Sequence, residues 1–156
     1  MSMRLRIRQG LLQGHLNRMF DEEVVNSQFS TILWCPRNNR DRARDHAVQL
    51  IESYLADVDV ILSELARHVD NSQVDFSMLA SLAREVHDKS TSIGTEHMRL
   101  ASLDVITACD DRRKLRFDHT LPLLNSEFEY TRRQLSYFVR LERDVIRLEE
   151  NSQPPN

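Results

Sequence analysis

"DFSMLASLAREVHDKSTSIGTE", Asp75 to Glu96, carries a helix start, a helix face and a helix stop within 22 residues. Phe76, Leu79, Leu82, Ala83, Val86, Ser90 and Ile93 recur at steps of three and four, the period of one helix face. Asp75 stands where a short polar side chain caps the first free amides, and Gly94 where a helix stops. Thr95 and Glu96 then read as a new start. The stretch predicts a helix, a tight corner and a second helix.

The same period continues outward. Ala47, Ile51, Tyr54, Val58, Ile61, Leu65 and Val69 run for six turns before "DNSQVD" breaks them. Met98, Ala101, Ser102, Val105 and Cys109 lead to the acidic break "CDDRRK". Leu121, Leu124, Phe128, Leu135, Phe138, Leu141, Val145 and Leu148 define a last helix, with Pro122 expected in its first turn. Leu5–Phe20 and Val24–Trp34 are two shorter amphipathic pieces, with Phe29 and Trp34 read as core residues. "CPRNNRDRARD" separates them from the long helices, and "NSQPPN" reads as a frayed tail at 151–156. No strand alternation or repeat competes. The fold class is therefore all-α: an antiparallel up-down four-helix bundle (45–69, 75–94, 95–110, 119–150) with two additional N-terminal helices. The whole chain, 1–156, is expected to form a single domain acting as a monomer.

Composition narrows the function. The 21 basic and 24 acidic residues are well mixed and leave a net charge of −3, which speaks against nucleic-acid or anionic-membrane partners. No apolar run has the length of a secretory signal or a membrane span. Cys35 and Cys109 read as two free intracellular thiols. His15, His46, His68, His97 and His119 are scattered without a shared inward face, so no metal site is expected. No Gly-rich phosphate loop, nucleophile elbow or Cys-x-x-Cys is present, and no cofactor is expected.

The chemistry-bearing cluster is Arg84, His87, Asp88 and Lys89. Arg84 lies about 160° around the helix axis from Val86, so Ser77, Ser81, Arg84, Asp88 and Thr91 form one outward line with His87 on its flank. On local pattern this is a solvated face with an Arg84–Asp88 pair, which stabilises the helix by only about 0.3 kcal/mol.

At these residues the chain resembles the plant histidine-containing phosphotransfer proteins of cytokinin two-component signalling. "HLNRMFDEEVVNSQFSTI" resembles their N-terminal helices, "IESYLADVDVILSELARHVDNSQVDFSMLASL" their long helix and the lead into the phosphorylated helix, and "LNSEFEYTRRQLSYFVRLERDVI" their last helix. Their acceptor motif, H-x-L-K-G-S-S-x-S-[IV]-G, aligns without a gap between Asp75-Phe76 and Ser92-Ile93-Gly94. Ser90, Ser92, Ile93 and Gly94 match, but Arg84 takes the acceptor histidine position. Val86 stands at the leucine, His87 at the lysine, Asp88 at the glycine and Lys89 at the first serine. Moving His87 onto the acceptor position would need a three-residue deletion, which rotates the apolar line by about 60°.

The resemblance implies a pseudo-phosphotransfer protein. Phosphorelay needs a neutral imidazole nitrogen to attack an aspartyl phosphate, and a guanidinium stays protonated. Such a protein has no catalytic residue and is not an enzyme. It binds the receiver domains of hybrid histidine kinases and response regulators without accepting phosphate, and so acts as a negative regulator in cytoplasm and nucleus. The resemblance places receiver docking on Arg84, His87, Asp88 and Thr91, with Gln28 and Ile32 from the second short helix. The alternative is an active phosphotransfer protein using His87, one turn along, as a displaced acceptor.

Overall fold

A computed structural model describes residues 2–33 and 40–152. Six helices appear among them: α1 (Met3–Asp21), α2 (Ser27–Leu33), α3 (Arg40–Ala66), α4 (Phe76–Ile93), α5 (Glu96–Asp110) and α6 (Lys114–Ser152). Helices α3 to α6 pack in a closed ring, each against its neighbours in sequence and α3 against α6, which is the expected all-α bundle. Helix α1 lies along α6, and α2 lies on α3 and α4. Trp34, Cys35 and residues 153–156 fall outside the described residues.

The ends of α4 form as their residues dictate. The Asp75 side chain accepts a hydrogen bond from the Met78 amide at 3.2 Å. Gly94 closes the helix with φ at 89°, a left-handed conformation that only glycine adopts without strain. Its amide donates to the Ser90 carbonyl at 2.9 Å. Thr95 starts α5, yet its hydroxyl makes no cap bond and turns inward instead.

That inward turn builds the polar centre of the core. Tyr54 from α3 lies 2.8 Å from both Ser90 Oγ of α4 and Thr95 Oγ1 at the corner, all three groups buried. Burial pushes the Tyr54 phenol up to about 12, against the two hydrogen bonds that favour ionisation. Around this centre pack Ile51, Val58, Leu65, Leu79, Ala83, Val86, Met98, Val105, Phe117, Leu121, Leu124 and Leu135. Phe29 of α2 is fully buried and meets Phe138 of α6 edge-on at 5.6 Å.

Three expectations need correction. Val24 does not open the second helix. Glu23 takes a positive φ of 58°, and Val25 pairs with Thr95 in one antiparallel bridge. The Glu96 amide donates to the Val24 carbonyl at 3.1 Å and the Asn26 amide to the Gly94 carbonyl at 2.9 Å. β-Branched valines favour such extended pairing.

The last helix starts at Lys114, so Pro122 lies inside it and not in its first turn. Proline withdraws one donor from the helix ladder, and Pro122 itself is exposed. Buried Phe117, Leu121 and Leu124 hold the helix to the core through that point. The third correction is at the α3 boundaries. Helix α3 takes in residues expected to be linker, from Arg40, and ends at Ala66, where turn bonds from Arg67, His68 and Val69 replace the helix.

Glycine at 94 is required twice over. A Cβ there would stand 2.4 Å from the Phe29 amide nitrogen and 2.7 Å from Asn26 Oδ1. Gly94→Ala is expected to lower stability by about 2–4 kcal/mol, through the left-handed φ and the displaced α2, measured by denaturant unfolding.

Candidate docking face on helix α4

Ser77, Ser81, Arg84, Asp88 and Thr91 are all exposed along one line of α4, as its period predicts, and His87 is half-buried beside them. The predicted Arg84–Asp88 pair does not form. Arg84 Nη2 reaches across to α5 and donates to both carboxylate oxygens of Asp110, at 2.8 and 2.7 Å. The reason is geometric: one carboxylate on the adjoining helix takes the guanidinium with two short contacts, which a weak, basic-first i,i+4 pair does not match. Both side chains remain about half exposed, so the pair contributes no more than about 1 kcal/mol. Its neighbour Cys109 is buried, and burial first, with Asp110 second and Arg84 opposing, pushes its thiol up to about 11. That sulfur stays a thiol at neutral pH.

Asp88 instead lies beside His87, its Oδ1 3.5 Å from Nδ1. Thr91 donates its hydroxyl proton to the His87 carbonyl at 2.8 Å. Lys89 leans the other way and meets Asp57 of α3 at 3.4 Å. The cations of this face are thus drawn apart, Arg84 toward α5 and Lys89 toward α3.

Helix α2 adds the remaining candidates. Gln28 is exposed, and its amide donates to Asn26 Oδ1 at 3.0 Å, the turn that opens α2. Ile32 is half-buried in a groove of about 360 Å3, together with Leu50, Tyr54, Asp57, Asp88, Lys89 and Ile93. The structure therefore brings Ile32 and Asp88 to one groove. Arg84, His87, Thr91 and Gln28 lie outside it. Sequence reasoning missed Asp110, Asp57 and Leu50, because each joins the face from another helix and none shares its period.

The α2 end of this face is held by charge. Asn26 Nδ2 donates to Glu96 at 2.7 Å, and Arg99 Nε donates to the same carboxylate at 3.0 Å. The Arg99 hydrogen bond, with Asn26 adding to it against partial burial, lowers the Glu96 carboxyl from an ordinary 4.5 to about 2. Among the described residues, no cluster of His, Cys, Asp and Glu is placed to hold a metal ion, and no helix is long and apolar enough to cross a membrane.

An arginine on the exposed line of a bundle helix can bind anions or carboxylates but cannot carry a phosphoryl group as a neutral nucleophile. Known proteins give this arrangement its context. No family model matches the chain. It is 23% identical over 139 residues to histidine-containing phosphotransfer protein 1 of Arabidopsis thaliana, covering 89% of this chain and 88% of the relative. It is 22% identical over 134 residues to histidine-containing phosphotransfer protein 1 of Oryza sativa subsp. japonica, covering 86% and 89%. The crystal structure of a maize histidine-containing phosphotransfer protein superposes with a TM-score of 0.80 at 21% identity, over 88% of this chain and 99% of that one. These homologues and structural neighbours are plant histidine-containing phosphotransfer proteins, and the fold is the helical bundle that they share.

A depressed carboxylate contributes stability above its unfolded pKa and loses it as pH falls through the folded value. Glu96→Gln is therefore expected to be less stable than the parent at pH 6. The difference should close between pH 4.5 and 2, followed by chemical denaturation at stepped pH.

Proposed function

We propose that this chain is a phosphorelay protein that binds receiver domains without accepting phosphate, and so dampens two-component signalling of the cytokinin type. Similarity to histidine-containing phosphotransfer proteins supports the phosphorelay role. The observation that carries the silent form is Arg84 at mid-length on the exposed line of an unbroken α4. Both ends of that helix, the Asp75 cap and the Gly94 stop, are the anchors of the gapless motif alignment. An unbroken helix between the two anchors supports the register that sets Arg84 on the acceptor position.

Docking on this reading uses the α4 line, with Arg84, His87, Asp88 and Thr91, and extends over α2 through Gln28 and Ile32. The receiver domains of hybrid histidine kinases and response regulators are the partners. The protein works where those receivers are, in cytoplasm and nucleus. Asp88 places a carboxylate where the motif has glycine, which selects against a closely approaching acidic surface. Arg84 is held by Asp110 and leaves that charge uncompensated.

One observation favours the alternative. The Asp88 carboxylate beside His87 Nδ1 favours the tautomer that leaves Nε2 as the free nucleophile. Incubation with a phosphorylated receiver separates the two readings. The silent form gives no acid-labile label on this chain, together with saturable receiver binding that Asp88→Ala or Arg84→Ala changes by about three- to tenfold. Label that is abolished by His87→Ala overturns it in favour of the displaced acceptor. Absence of receiver binding overturns both.

A further inference from the structure

Asp110 is the last residue of α5. A carboxylate there meets the negative end of the helix macrodipole and gains from a nearby cation. The last turn of α5 holds no basic residue to supply one. Arg84 supplies it from α4, with Nη2 donating to both carboxylate oxygens at 2.8 and 2.7 Å. The next residue, Asp111, is also exposed, yet it makes no ion pair among the described residues. Of these two adjacent carboxylates, Asp110 alone reaches the guanidinium.

The pair has a consequence for any anion that approaches the α4 line. A guanidinium with free donors takes a carboxylate or phosphate through charge-assisted hydrogen bonds. Here the charge of Arg84 is already matched and Nη2 is taken, so a second anion must share or displace Asp110. The other cation of this stretch, Lys89, is drawn to Asp57 of α3, 3.4 Å away. Glu85 and Asp88 stay exposed beside Arg84 and repel the same anion. On the receiver-docking reading, Arg84 stands where an acceptor histidine would meet the receiver's aspartyl phosphate. That phosphate is the anion a released Arg84 would bind.

We propose that Asp110 is a specificity-determining residue of the α4 face. By holding Arg84, it keeps the guanidinium from the aspartyl phosphate of a docked receiver, so phosphorylation of the receiver does not strengthen binding. The inference rests on the receiver docking proposed above and extends it to the receiver's phosphorylation state. A chain built this way competes for receivers before and after they are charged with phosphate. Because both partners of the pair are about half exposed, the effect of releasing Arg84 is limited to about fivefold.

Calorimetric titration of the full chain with a response-regulator receiver domain tests this, with and without beryllofluoride on the receiver aspartate as the phosphoryl mimic. The parent is expected to bind the beryllofluoride form no more tightly than the free form. Asp110→Ala should raise the ratio of the two affinities about three- to fivefold, with circular dichroism unchanged because the residue is exposed. Asp110→Asn, which keeps the shape and removes the charge, should act in the same direction. The gain should vanish in Asp110→Ala/Arg84→Ala, and Asp111→Ala should not produce it. Three results overturn the proposal while leaving receiver docking intact. They are a parent that prefers the beryllofluoride form, an Asp110→Ala ratio equal to the parent's, and an Asp111→Ala gain of the same size, which would mark net charge as the cause. If neither the parent nor Asp110→Ala binds a receiver in either form, the docking reading itself fails and this inference falls with it.

Discussion

The corner at Gly94 is the constraint on which the rest of the structure depends. Two residues, Gly94 and Thr95, turn the chain from α4 into α5, and the Val24–Asn26 segment pairs with that turn by backbone hydrogen bonds on both sides. Side chains complete the lock from within, since Thr95 and Ser90 both meet the buried Tyr54 hydroxyl. One corner therefore fixes three things together: the pairing of α4 with α5, their seat on α3, and the place where α2 must lie. Without the corner, Phe29 would have no reason to enter the core and Ile32 none to lie over α3.

Helix lengths explain the remaining architecture. Helix α6 has 39 residues, about 58 Å of helix, whereas α4 has 18 and α5 has 15. The hairpin of α4 and α5 covers only part of α6. Beyond it, buried Leu141, Val145 and Ile146 need other cover, and α1 with the early turns of α3 supplies it. This end of the bundle also holds its charged interior. Glu142 is buried, with its carboxyl 3.3 Å from Arg44 Nε, and burial pushes that carboxyl above the ordinary range despite the arginine.

The local features were legible in the sequence. Asp75, Gly94 and the apolar steps between them announce α4 because caps, stops and a 3.6-residue period act over a few neighbours. The outward line from Ser77 to Thr91 follows from the same period. Features made by distant residues were not legible. Asp110 is 26 positions from Arg84 and lies in an acidic break, with no pattern that marks it as a partner. Tyr54 and Ser90 each counted as members of an apolar face, and their hydroxyls meet only once the helices pack. Pro122 misled because proline usually marks a helix start, a rule that yields when the ring faces water.

The division of the α4 cations has a kinetic side. With Arg84 matched by Asp110 and Lys89 by Asp57, the uncompensated charges on this stretch are Glu85 and Asp88, both exposed. At distances beyond contact the face therefore presents a negative field, although its most prominent side chain is an arginine. A partner diffusing toward it is steered by that field over roughly 8–10 Å at physiological salt. A basic partner surface would be drawn in and slowed by added salt, an acidic one held off and helped by it. The ionic-strength slope of the association rate thus reports the sign of the partner's surface before any contact residue is known.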